Sequence, residues 1–238
     1  SGVRHGMTMG SPISMLIINR DFSTGKGPDG VPWIDEMNVD PSDIPFETIT
    51  DIRPGHADTP GIAKYMQTDA RNILERSSAR ESAARVAAGA IARRFLEEFG
   101  IEIHGHVTCI GGIHSSLPNN FEWESLEEAP YHKENPNGSK TAAVRCLDAE
   151  AASKMITEID AAREAGDSVG GIIEIVATGI PIGLGSHIQW DRKITTALAA
   201  AVMSINAVKG VEFGAGFRQA DLRGSQVHDV VTPKNERP

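Results

Sequence analysis

Two guanidiniums and three hydroxyls crowd into seven residues, Arg76-Ser77-Ser78-Ala79-Arg80-Glu81-Ser82, directly ahead of an alanine-rich helical pattern from Ala83 to Phe99. Arginines offer bidentate donors, and the first turn of a helix offers backbone N–H groups with no partner inside the helix. Together they suit a phosphate or another dense anion. A second reading is purely structural: Ser78 as N-cap with Glu81 three residues on spells a capping box. That reading accounts for Ser78 and Glu81 and gives no reason for two arginines, and at the level of local sequence both stand.

The elements that must carry this cluster are legible on either side. Ala84, Ala87, Ala88, Ile91, Phe95 and Phe99 recur at helical spacing, and Gly100 is placed to stop the helix. Ile101 to Cys109 then alternates apolar with polar residues, the period of a half-buried strand, which puts His104 and His106 on one face. Two neighbouring imidazoles suggest a metal pair, but no third ligand stands near them and the polar face of a sheet accounts for them. Asp58 to Leu74 has a weaker helical pattern, with Thr59-Pro60-Gly61 as a turn or a helix start. Ala149 to Ala165 reads as a second amphipathic helix ended by Gly166, Ile172 to Ala177 as an apolar strand interrupted by Glu174, and Thr195 to Met203 as a small-residue helix. Met15 to Asn19 reads as a short buried strand. The Gly-, Pro- and Asp-rich stretch 21–48 predicts a surface excursion, and 115–140 a long loop.

This pattern predicts an α+β protein, a single domain over 1–238, without regular βαβ alternation. A dinucleotide-binding turn has no support, since Gly183-Leu184-Gly185 lacks both the third glycine and a helical continuation. A net charge of −9 argues against a nucleic-acid scaffold, although a local basic pocket for an anion is compatible with an acidic whole. No stretch reaches the roughly 18 uninterrupted apolar residues of a membrane span. The two cysteines, Cys109 and Cys146, form no metal-ligand or CxxC pattern, which points to reduced thiols and a cytoplasmic setting.

Arg76 to Ser82 followed by A-A-R-V-A-A-G-A-I-A resembles a signature segment of the chorismate synthase family. Arg53-Pro54-Gly55-His56-Ala57-Asp58, with Lys64-Tyr65 after it, is similar to a second segment of that family. Further similarities run in the family's order: Ser1-Gly2-Val3-Arg4-His5-Gly6 with Gly10-Ser11-Pro12-Ile13, then Gly170-Gly171, Pro181 to Gly185, Ala199 to Ile205 leading to Val208-Lys209-Gly210-Val211-Glu212, and Arg223-Gly224-Ser225-Gln226 with His228-Asp229. The family also carries an N-terminal Gly-Glu-Ser-His-Gly segment with a catalytic histidine, and C-terminally a Gly-rich flavin segment, a Lys-Pro loop and a catalytic aspartate. Their absence here makes the chain read as an internal piece of a longer protein.

The resemblance implies a β-α-β sandwich, with helices layered between antiparallel sheets, assembled as a homotetramer. It implies the last step of the shikimate pathway, in which 5-enolpyruvylshikimate 3-phosphate loses phosphate and a ring proton in a 1,4-elimination to give chorismate. Reduced FMN is required without net oxidation, and NADPH enters only as the reductant of bifunctional relatives. His56 matches the family's second catalytic histidine, a general-acid role that suits an imidazole; read without the family, it is a turn residue after Pro54-Gly55. Arg76, Ser77 and Ser78 match flavin contacts, as does the pair Asn206-Ala207. Arg53 and Arg80 are the candidates for the substrate, whose phosphate and two carboxylates demand several cationic donors. Two departures stand out: Thr59-Pro60 replaces an aromatic residue, and Asn206 stands where the family often has glutamine. The competing readings are a non-catalytic flavin- or phosphate-binding relative and a structural oligomerisation domain.

Overall fold

The computed structural model describes residues 1–18, 48–74, 76–117, 121–123 and 144–230. These fall into two compact units, Ser1–Ala90 with Gly185–Pro238 and Ile91–Leu184, divided within one helix. The expected surface excursion over 21–48 and the loop over 115–140 lie outside the described residues, apart from Thr48, 115–117 and 121–123.

The first unit opens with a two-stranded antiparallel hairpin, β1 (Val3–Arg4) and β2 (Met7–Thr8), with Val3 opposite Thr8 and Arg4 opposite Met7. Its two turn residues, His5 and Gly6, both have positive φ (50° and 78°), the requirement of a type I′ hairpin turn. The expected strand at Met15–Asn19 is not formed. Residues 15–18 have no ladder partner among the described residues and are exposed, Leu16 to 87%, and Asn19 lies outside the described range. An apolar run states composition, and only a partner makes it a buried strand.

Asp58 to Leu74 splits into α1 (Asp58–Tyr65) and α2 (Arg71–Leu74). Thr59-Pro60-Gly61 lies in the first turn of α1, where proline's missing N–H costs no helical bond. Asp69 supports the start of α2, its carboxylate accepting from the backbone N–H groups of Arg71 (2.9 Å) and Ile49 (3.3 Å). The two helices meet at Gly61, where an added Cβ would lie 2.5 Å from Ile73 Cγ2, so the absence of a side chain sets their approach. A 3-10 turn (Ala79–Glu81) leads into α3 (Ser82–Glu97). Later in the same unit come a 3-10 turn (Trp190–Arg192), the small-residue helix Ile194–Met203, a 3-10 turn (Gly216–Asp221) and the short helix Gly224–Val227.

The second unit holds a three-stranded antiparallel sheet in the order β4-β3-β5, built from β3 (Glu102–Ile110), β4 (Ile113–His114) and β5 (Gly171–Thr178). Helix α4 (Ala149–Glu164) packs on it. Asp148 caps that helix by accepting from the backbone N–H groups of Glu150 (3.1 Å) and Ala151 (3.0 Å). Ala151, Ala152 and Met155 of α4 make the core with Val144 and Cys146, against Val107, Ile110 and Ile113 of the sheet. In chain order the helices Ile194–Met203 and Gly224–Val227 are then α5 and α6. Helices with antiparallel sheets make this an α+β protein, as the pattern predicts.

His104 and His106 share a face of β3, as the alternation requires, and each has a partner of its own. His104 stacks on Trp123 with centroids 4.6 Å apart, and buried His106 bonds Glu174 across the sheet at 2.7 Å. Among the described residues no three metal-ligating side chains converge, and no helix is long and apolar enough to cross a membrane.

Candidate active site

The residues of interest all belong to the first unit. Arg53-Pro54-Gly55-His56 is a β-turn, closed by a hydrogen bond from His56 N–H to Arg53 O (3.3 Å). Proline at its second position and Gly55 at its third, with φ 74°, are what a type II turn demands. The Asp58 carboxylate then draws the turn shut. It accepts from Arg53 N–H (2.9 Å), Arg53 Nε (3.0 Å) and Arg53 Nη2 (2.9 Å), and it is fully buried. Those hydrogen bonds, with the Arg53 charge behind them and His56 adding a smaller attraction, hold the Asp58 carboxyl down to about 2 against the pull of burial.

His56 is exposed on this loop, its Nδ1 3.1 Å from Pro54 O. A carbonyl oxygen only accepts, so Nδ1 carries the hydrogen, and Nε2 has no hydrogen-bond partner among the described residues. Arg53, expected at the substrate, thus spends Nε and one Nη on Asp58, while its side chain stays 49% exposed.

The clamp has a pH signature. A carboxyl held below its ordinary value of 3.8 adds stability that is fully present above that value and is lost as pH falls through the folded value near 2. Asp58→Asn should therefore lower the urea midpoint near neutrality. The gap to the wild type should narrow from about pH 5 downward, as denaturation curves at several pH values would show. A gap that stays constant with pH would refute the assignment.

The second cluster follows α2 without a break, since Ser77 N–H and Ser77 Oγ both donate to Ile73 O, at 3.0 and 2.9 Å. Ser78 Oγ accepts from Arg80 N–H (3.2 Å), and Ser78 O accepts from Glu81 N–H (3.1 Å). Ser78 therefore caps the 3-10 turn ahead of α3. The reciprocal half of a capping box is not made, because the Glu81 carboxylate turns to Arg85 Nε, at 2.8 and 3.0 Å. Arg76 and Arg80 are both exposed, and neither guanidinium makes a hydrogen bond or ion pair among the described residues. Two guanidiniums without counter-ions among the described residues are what an anion site requires and what helix capping leaves unexplained.

Asn206 and Ala207 occupy the centre of another turn, closed by Val208 N–H to Ile205 O at 3.2 Å. Ala207 sits there at φ 70°, a left-handed conformation an L-residue adopts at a cost. Asn206 Nδ2 donates to Ser78 O at 3.4 Å, so the two expected flavin segments, 128 residues apart in sequence, are neighbours. No hydrogen bond or ion pair among the described residues joins the His56 turn to Arg76–Arg80. The link is the packing of α1 on α2 at Gly61. Sequence reasoning missed the Asp58 clamp and the Glu81–Arg85 pair, although the four-residue spacing of the latter was a readable signal.

The family model described as chorismate synthase matches residues 1–237. The chain is 47% identical over 240 residues to chorismate synthase of Geobacillus sp. (strain WCH70), covering 100% of this chain and 58% of the relative. It is 49% identical over 233 residues to that of Geobacter sulfurreducens, covering 97% and 54%. A solved structure described as a crystal structure of chorismate synthase superposes with a TM-score of 0.72 at 39% identity, covering 98% of this chain and 59% of that one. The chain thus spans less than three fifths of the length of these relatives. With one match running through nearly every residue and identities near one half, the chain belongs to the chorismate synthase family.

Proposed function

We propose that this chain contributes to a lyase that eliminates phosphate from 5-enolpyruvylshikimate 3-phosphate to give chorismate, with reduced FMN bound beside the substrate. The observation that carries the reading is the pair of guanidiniums, Arg76 and Arg80, that have no partner among the described residues, on a turn that touches Asn206. Arg80 takes the substrate phosphate, and its fixed charge stabilises the negative charge that develops as the C–O bond breaks. Arg53 adds a third cation at the substrate. Its Asp58 bonds restrict it to the donors that remain, so its contribution is the smaller.

The residues present fit a flavin mononucleotide. Arg76 offers an uncompensated cation for its phosphate, Ser77 and Ser78 present a backbone already ordered by hydrogen bonds, and the Asn206–Ala207 turn lies alongside. When bound, reduced flavin supplies transient electron density to the elimination, which proceeds without net oxidation. His56 holds and delivers a proton at Nε2, with Nδ1–H kept on Pro54 O. NADPH serves only if a relative's reductase activity is present. A homotetramer working in the cytoplasm completes the reading.

The test is an anaerobic assay of this chain with chemically reduced FMN, following chorismate. Chorismate formation supports the reading. No chorismate from this chain, nor from the gene product that contains it, would reject it in favour of a binding protein without catalysis. The presence of His56 and of two arginines without a counter-charge among the described residues favours the enzyme, because a scaffold gains nothing from holding like charges together.

A further inference from the structure

Arg85, one turn into α3, belongs to none of the contacts assigned above, yet its guanidinium spans two parts of the site. Nε bonds both oxygens of Glu81, and Nη1 donates to Ser204 Oγ at 2.8 Å, across 119 residues of sequence. Ser204 is the C-cap of α5 and passes its own hydrogen to Ala201 O at 2.7 Å. Two side-chain hydrogen bonds therefore tie the turn of Arg76, Ser77, Ser78 and Arg80 to the segment of Ser204, Asn206 and Ala207. The Arg85 bond is the shorter, against 3.4 Å for Asn206 to Ser78 O.

A half-exposed Glu–Arg pair four residues apart on a helix is ordinary surface decoration and contributes little by itself. Ser204, the third partner, sets this one apart. A guanidinium carries its donors in one rigid plane, so seating Nε on Glu81 also fixes where Nη1 reaches. Arg85 is unlike Arg76 and Arg80 in that Glu81 already balances its charge, which removes it from the pool of anion ligands.

We infer that Arg85 is a positioning residue. Through Glu81 and Ser204 it sets the spacing between the Arg76–Ser78 turn and the Asn206–Ala207 turn, and it touches neither flavin nor substrate. The inference rests on the assignment of those two turns to flavin, and the test separates the two claims. Amide hydrogen exchange at Arg80, Glu81 and Val208, each hydrogen-bonded within one of the turns, is followed without ligand, and reduced FMN is titrated in parallel. Arg85→Ala and Ser204→Ala should each speed exchange and weaken FMN binding about tenfold, as expected for losing a charged hydrogen bond. The double variant should be no worse than either single one, because both cut the same link. Arg85→Lys should fail to restore either readout, since an ammonium cannot hold two directions in one plane. Ser204→Ala leaves the sequence of α3 intact, so a folding defect of the Arg85 variants does not remove the test. Wild-type FMN binding with unchanged exchange and affinity in both single variants would overturn the role of Arg85 alone. Failure of the wild-type chain to bind reduced FMN would overturn the flavin assignment, and the role with it.

Discussion

Replacing His56 by alanine should lower chorismate formation by about two to four orders of magnitude, the range expected when a positioned general acid is lost. The fall should appear in kcat, with KM nearly unchanged, because the imidazole is assigned a proton to deliver and no part in holding the substrate. The thermal midpoint should hardly move, since His56 is exposed and its ring makes, among the described residues, one local bond from Nδ1 to Pro54 O. Stability and turnover are thus predicted to separate. Wild-type turnover in His56→Ala would remove the residue from the mechanism and leave it as the last position of a type II turn.

The second large effect is expected at Arg80. Arg80→Ala should reduce kcat/KM by about 10²–10³-fold, the usual loss when one fixed donor to a developing negative charge is removed. Because the Arg80 side chain makes no hydrogen bond or ion pair among the described residues, and its backbone N–H bond to Ser78 Oγ is unaffected by truncation, the loss cannot be attributed to a broken structural contact. Arg80→Lys should recover part of the rate, since the charge returns while bidentate geometry does not. Steady-state kinetics with varied substrate and fixed reduced FMN would measure both variants. An Arg80→Ala enzyme with unaltered kcat/KM would transfer the phosphate to another residue.

These expectations rest on the resemblance to the family, and local segments carry that resemblance. Arg53 to Asp58 is a turn whose residue types state its geometry, and Ser78 ahead of a helical pattern announces a capped start. α3, α4, β3 and β5 were readable for the same reason: their periods are one-dimensional. What failed was the buried strand read at Met15–Asn19, whose residues 15–18 are exposed. The apolar face of α3 is correctly spaced, yet no residue of that helix is buried, and Phe95 and Phe99 lean on one another, edge to face, at 5.1 Å. Spacing identifies which face is apolar and says nothing of what covers it. The Arg85–Ser204 and Asn206–Ser78 contacts were hidden because they cross more than a hundred residues and involve one bond each, too few to impose a pattern. His104 and His106 were placed on the right face, while their contacts with Trp123 and Glu174, from two other parts of the chain, carried no sequence signal.

The left-handed backbone at Ala207 bears on which residues this family member could accept there over time. A β-branched or bulky side chain at φ 70° meets the neighbouring carbonyl, whereas glycine, asparagine and aspartate enter that region readily. Position 207 therefore has a narrow alphabet dictated by backbone shape before any ligand is considered. Among the described residues the Asn206 side chain beside it is held by one long amide bond to Ser78 O, and a longer amide could replace it with the turn unchanged. Variation between related chains is expected to accumulate at 206 and to stay confined to small or left-handed-tolerant residues at 207.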